Sequence, residues 1–69
     1  MTKQQMKDKM MEKARYFGSL EAIYEKRGDK AGKTHVRDMM GQVAGLAQEF
    51  FGNDFYDQLQ EAFEQARKN

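Results

Sequence analysis

Sixty-nine residues without cysteine and with a single histidine make one small domain that no disulfide and no thiolate metal site can brace. A chain of this size relies on close helix packing or on a second subunit. Twelve Lys and Arg against eleven Asp and Glu leave a net charge of +1, so no whole-molecule attraction to nucleic acid follows from charge.

The charge is nevertheless uneven. Residues 1–37 carry ten basic and five acidic side chains (+5), and residues 38–69 carry two basic and six acidic (−4). Such a split fits a basic working surface, a bipolar chain that pairs head to tail, or an ordinary solvated face. No apolar run approaches the roughly 18 residues needed to cross a bilayer, and the Lys-rich start has no apolar segment of the secretory kind. A cytoplasmic chain without a membrane partner is the expectation.

In chain order, Thr2 followed by Gln5 has the form of a capping box and opens a helix at about residue 3. Met6, Met10, Ala14, Phe17, Leu20 and Tyr24 then recur at three- and four-residue steps, the period of an amphipathic helix, with Tyr16 and Ile23 flanking the stripe. Lys13 and Glu21 intrude on it. Gly18-Ser19 permits either one helix to about residue 27 or two helices meeting at a bend, since Gly closes helices and Ser starts them. Lys26 to Lys33, KRGDKAGK, has two glycines and no large apolar residue and reads as a loop.

Thr34 is the expected N-cap of a second helix over residues 34–51. Val36, Met39, Met40, Val43, Ala44, Leu46, Ala47, Phe50 and Phe51 fill an arc of roughly 160° on it, the expected core face. Gly41 and Gly45 lie on its polar side, one turn apart. Each mid-helix Gly costs about 0.8–1.0 kcal/mol relative to Ala, so a pair of them suggests a surface where another backbone comes close. Gly52-Asn53 ends this helix, with Gly52 as a left-handed cap, and a third helix over about 54–67 shows Phe55, Leu59, Ala62, Phe63 and Ala66 as its stripe. With few β-branched residues and no alternating run, strands are not expected. The expected fold is all-α: a small antiparallel three-helix bundle over residues 1–69, or four helices if the first breaks at Gly18-Ser19.

At 1.5 Å per residue the three helices would be about 38, 27 and 21 Å long. A straight first helix then leaves Met6, Met10 and Met11 overhanging, available to a partner or a second copy. Met11 lies well off the apolar side of its helix, and Met side chains adapt to varied partners.

Chemistry is sparse. Gly28 to Thr34 approximates a phosphate-binding loop but is one residue short between its glycines and follows no strand. His35 has Asp38 as its only nearby acidic companion, and no nucleophile–base pair occurs. No enzyme activity, metal, cofactor or small-molecule substrate is expected. Gly18 to Met40 resembles bacterial helix-turn-helix segments, in which a short helix beginning Gly-Ser precedes a turn and a basic recognition helix. That resemblance implies Lys33, Thr34, His35 and Arg37 near a groove and Lys26, Arg27 and Lys30 on phosphates, although the interval from Tyr24 to Thr34 exceeds the usual three- or four-residue turn. The favoured expectation is a small interaction protein of the adaptor or regulator type, self-associating as a homodimer, with Met6, Met10, Met11, Gly41 and Gly45 as contacts. A DNA- or RNA-binding regulator working through Lys26–Arg37 is the alternative.

Overall fold

A computed structural model describes all 69 residues, from Met1 to Asn69. Three α-helices, α1 (Lys3–Arg27), α2 (Lys30–Phe51) and α3 (Asn53–Lys68), each pack on the other two in a body of 38 × 20 × 20 Å. The all-α three-helix bundle expected from periodicity is what forms.

α1 begins as its sequence indicates. The Thr2 hydroxyl accepts from the Gln5 N–H at 3.1 Å while the Gln5 side chain accepts from the Thr2 N–H at 2.9 Å, so two of the free donors of the helix start are satisfied reciprocally. The helix then runs unbroken through Gly18-Ser19. Gly18 is a contact point, not a break. A Cβ there would collide with the Phe63 carbonyl oxygen and stand 2.9 Å from Ala66 Cβ, so α3 crosses α1 backbone to backbone at this position.

The eight-residue loop expected at Lys26–Lys33 contracts to Gly28-Asp29. Gly28 adopts φ +70°, its N–H donates to Glu25 O, and the Asp29 N–H donates to Tyr24 O, which is the hydrogen-bond pattern of a Schellman closure. Asp29 is at once the N-cap of α2, its carboxylate accepting from the Gly32 N–H at 2.9 Å. Thr34, expected as that cap, therefore lies inside α2. Tyr24 packs over Gly32, inside the first turn of α2, where an added Cβ would meet the ring at 2.7 Å. At the other end Gly52 closes α2 with φ +89° and ψ −179°, a glycine-favouring conformation outside the left-handed helical region expected of it, and also precedes α3 without any side-chain cap. Asn53 is the first residue of α3, and its side chain accepts from Gln48 at 2.7 Å.

The core is Ala14 and Phe17 of α1, Val36, Met40, Ala44 and Ala47 of α2, and Phe55, Leu59 and Phe63 of α3. Met10, Met11, Leu20, Tyr24, Met39, Val43, Phe51, Tyr56 and Ala62 pack around it, partly buried. The overhang expected at Met6, Met10 and Met11 thus shrinks toward Met6. Its reason is the added turn of α2, which carries the α2–α3 corner back along α1 until the Lys7 ammonium lies 5.2 and 5.4 Å from the ring centres of Phe51 and Phe55. Those two rings meet edge to face, 5.4 Å apart.

The glycines predict opposite substitution effects. Gly18→Ala forces α1 and α3 apart and is expected to lower unfolding free energy by about 1–3 kcal/mol or more, the range for overpacking. Gly41→Ala meets nothing within 4 Å and is expected to raise it by up to about 1 kcal/mol through helix propensity. Urea unfolding of both variants decides; equal effects at the two positions would refute the close crossing at Gly18.

Candidate functional site

Two features of the surface are not explained by packing alone: a charged ladder between α1 and α2, and an apolar strip on α2. The ladder is built from carboxylates at i, i+4 on α1 and cations at i, i+4 on α2. Arg37 Nη2 donates to Glu21 Oε1 at 2.8 Å, and Lys33 Nζ donates to Glu25 Oε1 at 3.3 Å. Both pairs are centred on Asp29, so an antiparallel hairpin turning at Gly28-Asp29 brings them together automatically. Glu21, which interrupts the apolar stripe of α1, is fully buried, whereas the Arg37 side chain is 55% exposed. Glu21 Oε2 has no hydrogen-bond partner. On α3, Arg67 donates twice to Glu64 Oε2, at 3.2 and 2.7 Å, and that hydrogen bond together with the charge of Glu64 raises the Arg67 pKa further above its ordinary value. Glu21 and Glu25 add to the shift through space, which sets Arg67 in the same field as the ladder.

This arrangement bears on the residues of the nucleic-acid alternative. Lys33 and Arg37 are bound to α1 carboxylates, while Lys26, Arg27, Lys30, Thr34 and His35 are exposed and Lys26, Arg27 and Lys30 take part in no ion pair. The α1–α2 connection is a tight antiparallel hairpin, and the helix expected to read a groove contributes Val36 and Met40 to the core.

The expected core arc of α2 is wider than its neighbours can cover. Val36, Met40, Ala44 and Ala47 are buried and Met39, Val43 and Phe51 half-buried, but Leu46 is 49% exposed and Phe50 62% exposed. Both were expected in the core and both face solvent. Met39, Val43, Leu46 and Phe50 follow one another at steps of four, three and four residues and so form one strip along the helix. Gly41 and Gly45 are exposed on a different side of α2, with nothing within 4 Å of an added Cβ on either, so neither α1 nor α3 uses them. Among the methionines, Met6 is half-buried at the N-terminal end, while Met10 and Met11 lean on the core. Tyr16 and Ile23 are exposed on α1.

No group of three or more His, Asp or Glu side chains with metal-holding geometry occurs, and no helix is long and apolar enough to cross a membrane. No protein-family model matches the chain, and no curated protein or solved structure shows significant similarity to it.

Sequence reasoning missed Glu21 and Leu46/Phe50 for different reasons. The mirror placement of Glu21/Glu25 and Lys33/Arg37 about Gly28-Asp29 was a readable signal for the first. For the second, the signal was the arc itself, broader than two flanking helices of this length bury.

Removing one partner of the half-buried pair separates its roles. Arg37→Ala leaves Glu21 buried without a counter-ion and is expected to cost about 2–3 kcal/mol, less than the 3–5 of a fully buried pair because Arg37 reaches solvent. Glu21→Met with Arg37→Ala should recover most of that loss, and Lys33→Ala should cost under about 1 kcal/mol. Chemical denaturation of the three variants is the measurement; a double variant no better than Arg37→Ala contradicts the account.

Proposed function

We propose that this chain is a small non-enzymatic protein–protein interaction module of the adaptor or regulator type, working through the solvent side of α2. The observation that carries the reading is the exposure of Leu46 and Phe50 in line with Met39 and Val43. An aromatic residue and a leucine exposed one turn apart, on a helix whose other large apolar residues are buried or half-buried, are what a hydrophobic docking surface presents before its partner arrives. Gly41 and Gly45 leave bare backbone on a different side of α2, with nothing within 4 Å of an added Cβ, so a partner backbone meeting that side could come close, and Met6 is half-buried on α1. The remaining contacts proposed from the sequence, Met10 and Met11, contribute through their exposed edges only.

A second reading keeps nucleic acid as the partner. It is favoured by Lys26, Arg27 and Lys30, exposed and unpaired on both sides of the α1–α2 turn, with Thr34 and His35 one turn further along. Under that reading Lys33 and Arg37 would act in the complex only by leaving Glu25 and Glu21.

Leu46→Glu with Phe50→Glu tests the first reading. Both positions are exposed, so unfolding free energy should change by less than about 1 kcal/mol. Proteins that the wild-type chain captures from cytosol should be lost by the variant. Capture that survives the double substitution sinks the α2 surface, and a salt-sensitive gel shift with duplex DNA that is abolished by Lys26→Glu with Lys30→Glu replaces it with the second reading.

A further inference from the structure

We propose, resting on the second, nucleic-acid reading, that the end of the bundle at the α1–α2 turn docks on the phosphate backbone of a duplex without reading its bases. Three helix ends meet there. α1 finishes at Arg27, α2 starts at Lys30, and the end of α3 lies beside the last turns of α1, where Asn69 and Lys26 line one shallow cleft with Ala22, Ile23 and Ala66. Lys26, Arg27, Lys30 and Lys68 are exposed at this end and take part in no ion pair. Its acids are engaged within the fold. Glu21 meets Arg37, Glu25 meets Lys33, Glu64 meets Arg67, and Asp29 accepts from the Gly32 N–H. Asp29 has no cation of its own, so the four free cations leave a local excess of three. Asp38, the next carboxylate along α2, is eight residues from Lys30. That is about 12 Å of helix, more than the Debye length of roughly 10 Å at about 0.1 M salt.

Helix stability accounts for three of these four cations. Lys26, Arg27 and Lys68 stand in the last turns of α1 and α3, where the helix dipole favours positive charge. Lys30 does not fit that account. It opens α2, whose first turn holds no acidic residue, and the dipole opposes a cation there. An unpaired lysine in an unfavourable place, at the end where the other free cations gather, is accounted for by an anion from outside.

The kind of polyanion follows from the other side chains. The exposed aromatic residues are remote: Tyr16 lies eleven residues before Arg27, roughly 16 Å of helix, and Phe50 twenty after Lys30, roughly 30 Å. Single strands bind through bases stacked on aromatic faces, so a duplex, with its bases turned inward, fits this end better. Ile23 is the one large apolar side chain exposed nearby, too little to seat the end in a bilayer. Base reading is closed as well, because Val36 and Met40 hold α2 in the core and Lys33 and Arg37 stay with their carboxylates. Charge against phosphate remains, which is independent of sequence.

Four phosphate contacts give log K against log salt a slope of about −3 to −4, a loss on the order of a hundred-fold between about 50 and 200 mM salt. Fluorescence anisotropy with two short labelled DNA duplexes of unrelated sequence measures it, and the two affinities should agree within about twofold. Lys26→Gln with Lys30→Gln should make the slope shallower by about 2, and Lys68→Gln by about 1, at unchanged helicity by circular dichroism. Lys33→Gln with Glu25→Gln, which deletes a ladder pair without altering net charge, should leave the slope as it is. No binding to either duplex at low salt overturns this proposal and the nucleic-acid reading together. A preference of about tenfold or more for one duplex overturns backbone docking alone and leaves nucleic acid as the partner. So does a slope that becomes shallower when the Lys33–Glu25 pair is deleted, or one indifferent to the changes at Lys26 and Lys30 or at Lys68. Retention on phosphatidylserine vesicles without binding to duplex overturns both in favour of a membrane surface.

Discussion

The structure depends first on the register of α1 against α2, and one charge pair holds it. Glu21 is wholly buried and meets Arg37 at 2.8 Å. The pair itself adds little net stability, because removing a carboxylate from water costs about as much as the contact returns. Its effect is on the alternatives. A slide of α2 by one turn that carries Gly41 to Glu21 would leave the carboxylate buried and uncompensated, and the opposite slide would exchange the Arg37 guanidinium for the Lys33 ammonium and leave Glu25 without its partner. Everything downstream follows from the register: Tyr24 over Gly32, the two-residue turn, and the level at which α2 ends and α3 begins.

A second constraint sets α3. Gly18 lets the α3 backbone approach α1 where any side chain would collide with Phe63 and crowd Ala66. Of the glycines in this chain, Gly18 and Gly32 make room for neighbours, Gly28 and Gly52 turn the chain at positive φ, and Gly41 and Gly45 face open space. One residue type thus does three different physical jobs, and sequence context alone does not separate them.

That ambiguity marks the limit of what was legible. Fold class, the number of helices in their unbroken form, the Thr2 cap and the apolar stripe of α3 followed from periodicity and capping chemistry, which are local. The start of α2 did not, because Asp29 and Thr34 are both good N-caps, and the earlier one is used where Gly28 closes α1, Asp29 caps Gly32 and Tyr24 packs over Gly32. Burial of Glu21 depends on Arg37 sixteen residues away, and exposure of Leu46 and Phe50 depends on where α1 and α3 stop covering α2. Each of these is a tertiary fact written in residues far apart in the chain. The consequence for the candidate surface is direct: it moved from the glycine side of α2 toward the edge of its apolar face.

The Lys7 ammonium over Phe51 and Phe55 joins the beginning of α1 to the corner between α2 and α3. Chain termini and loops are where a fold opens locally at small free energy. Here the first turns of α1 and the Phe51–Phe55 corner share an anchor, so loosening either one exposes the other. Amide exchange at the two places would then rise and fall together, and the bundle would breathe from that end as one unit while the end held by the Glu21–Arg37 pair stayed shut.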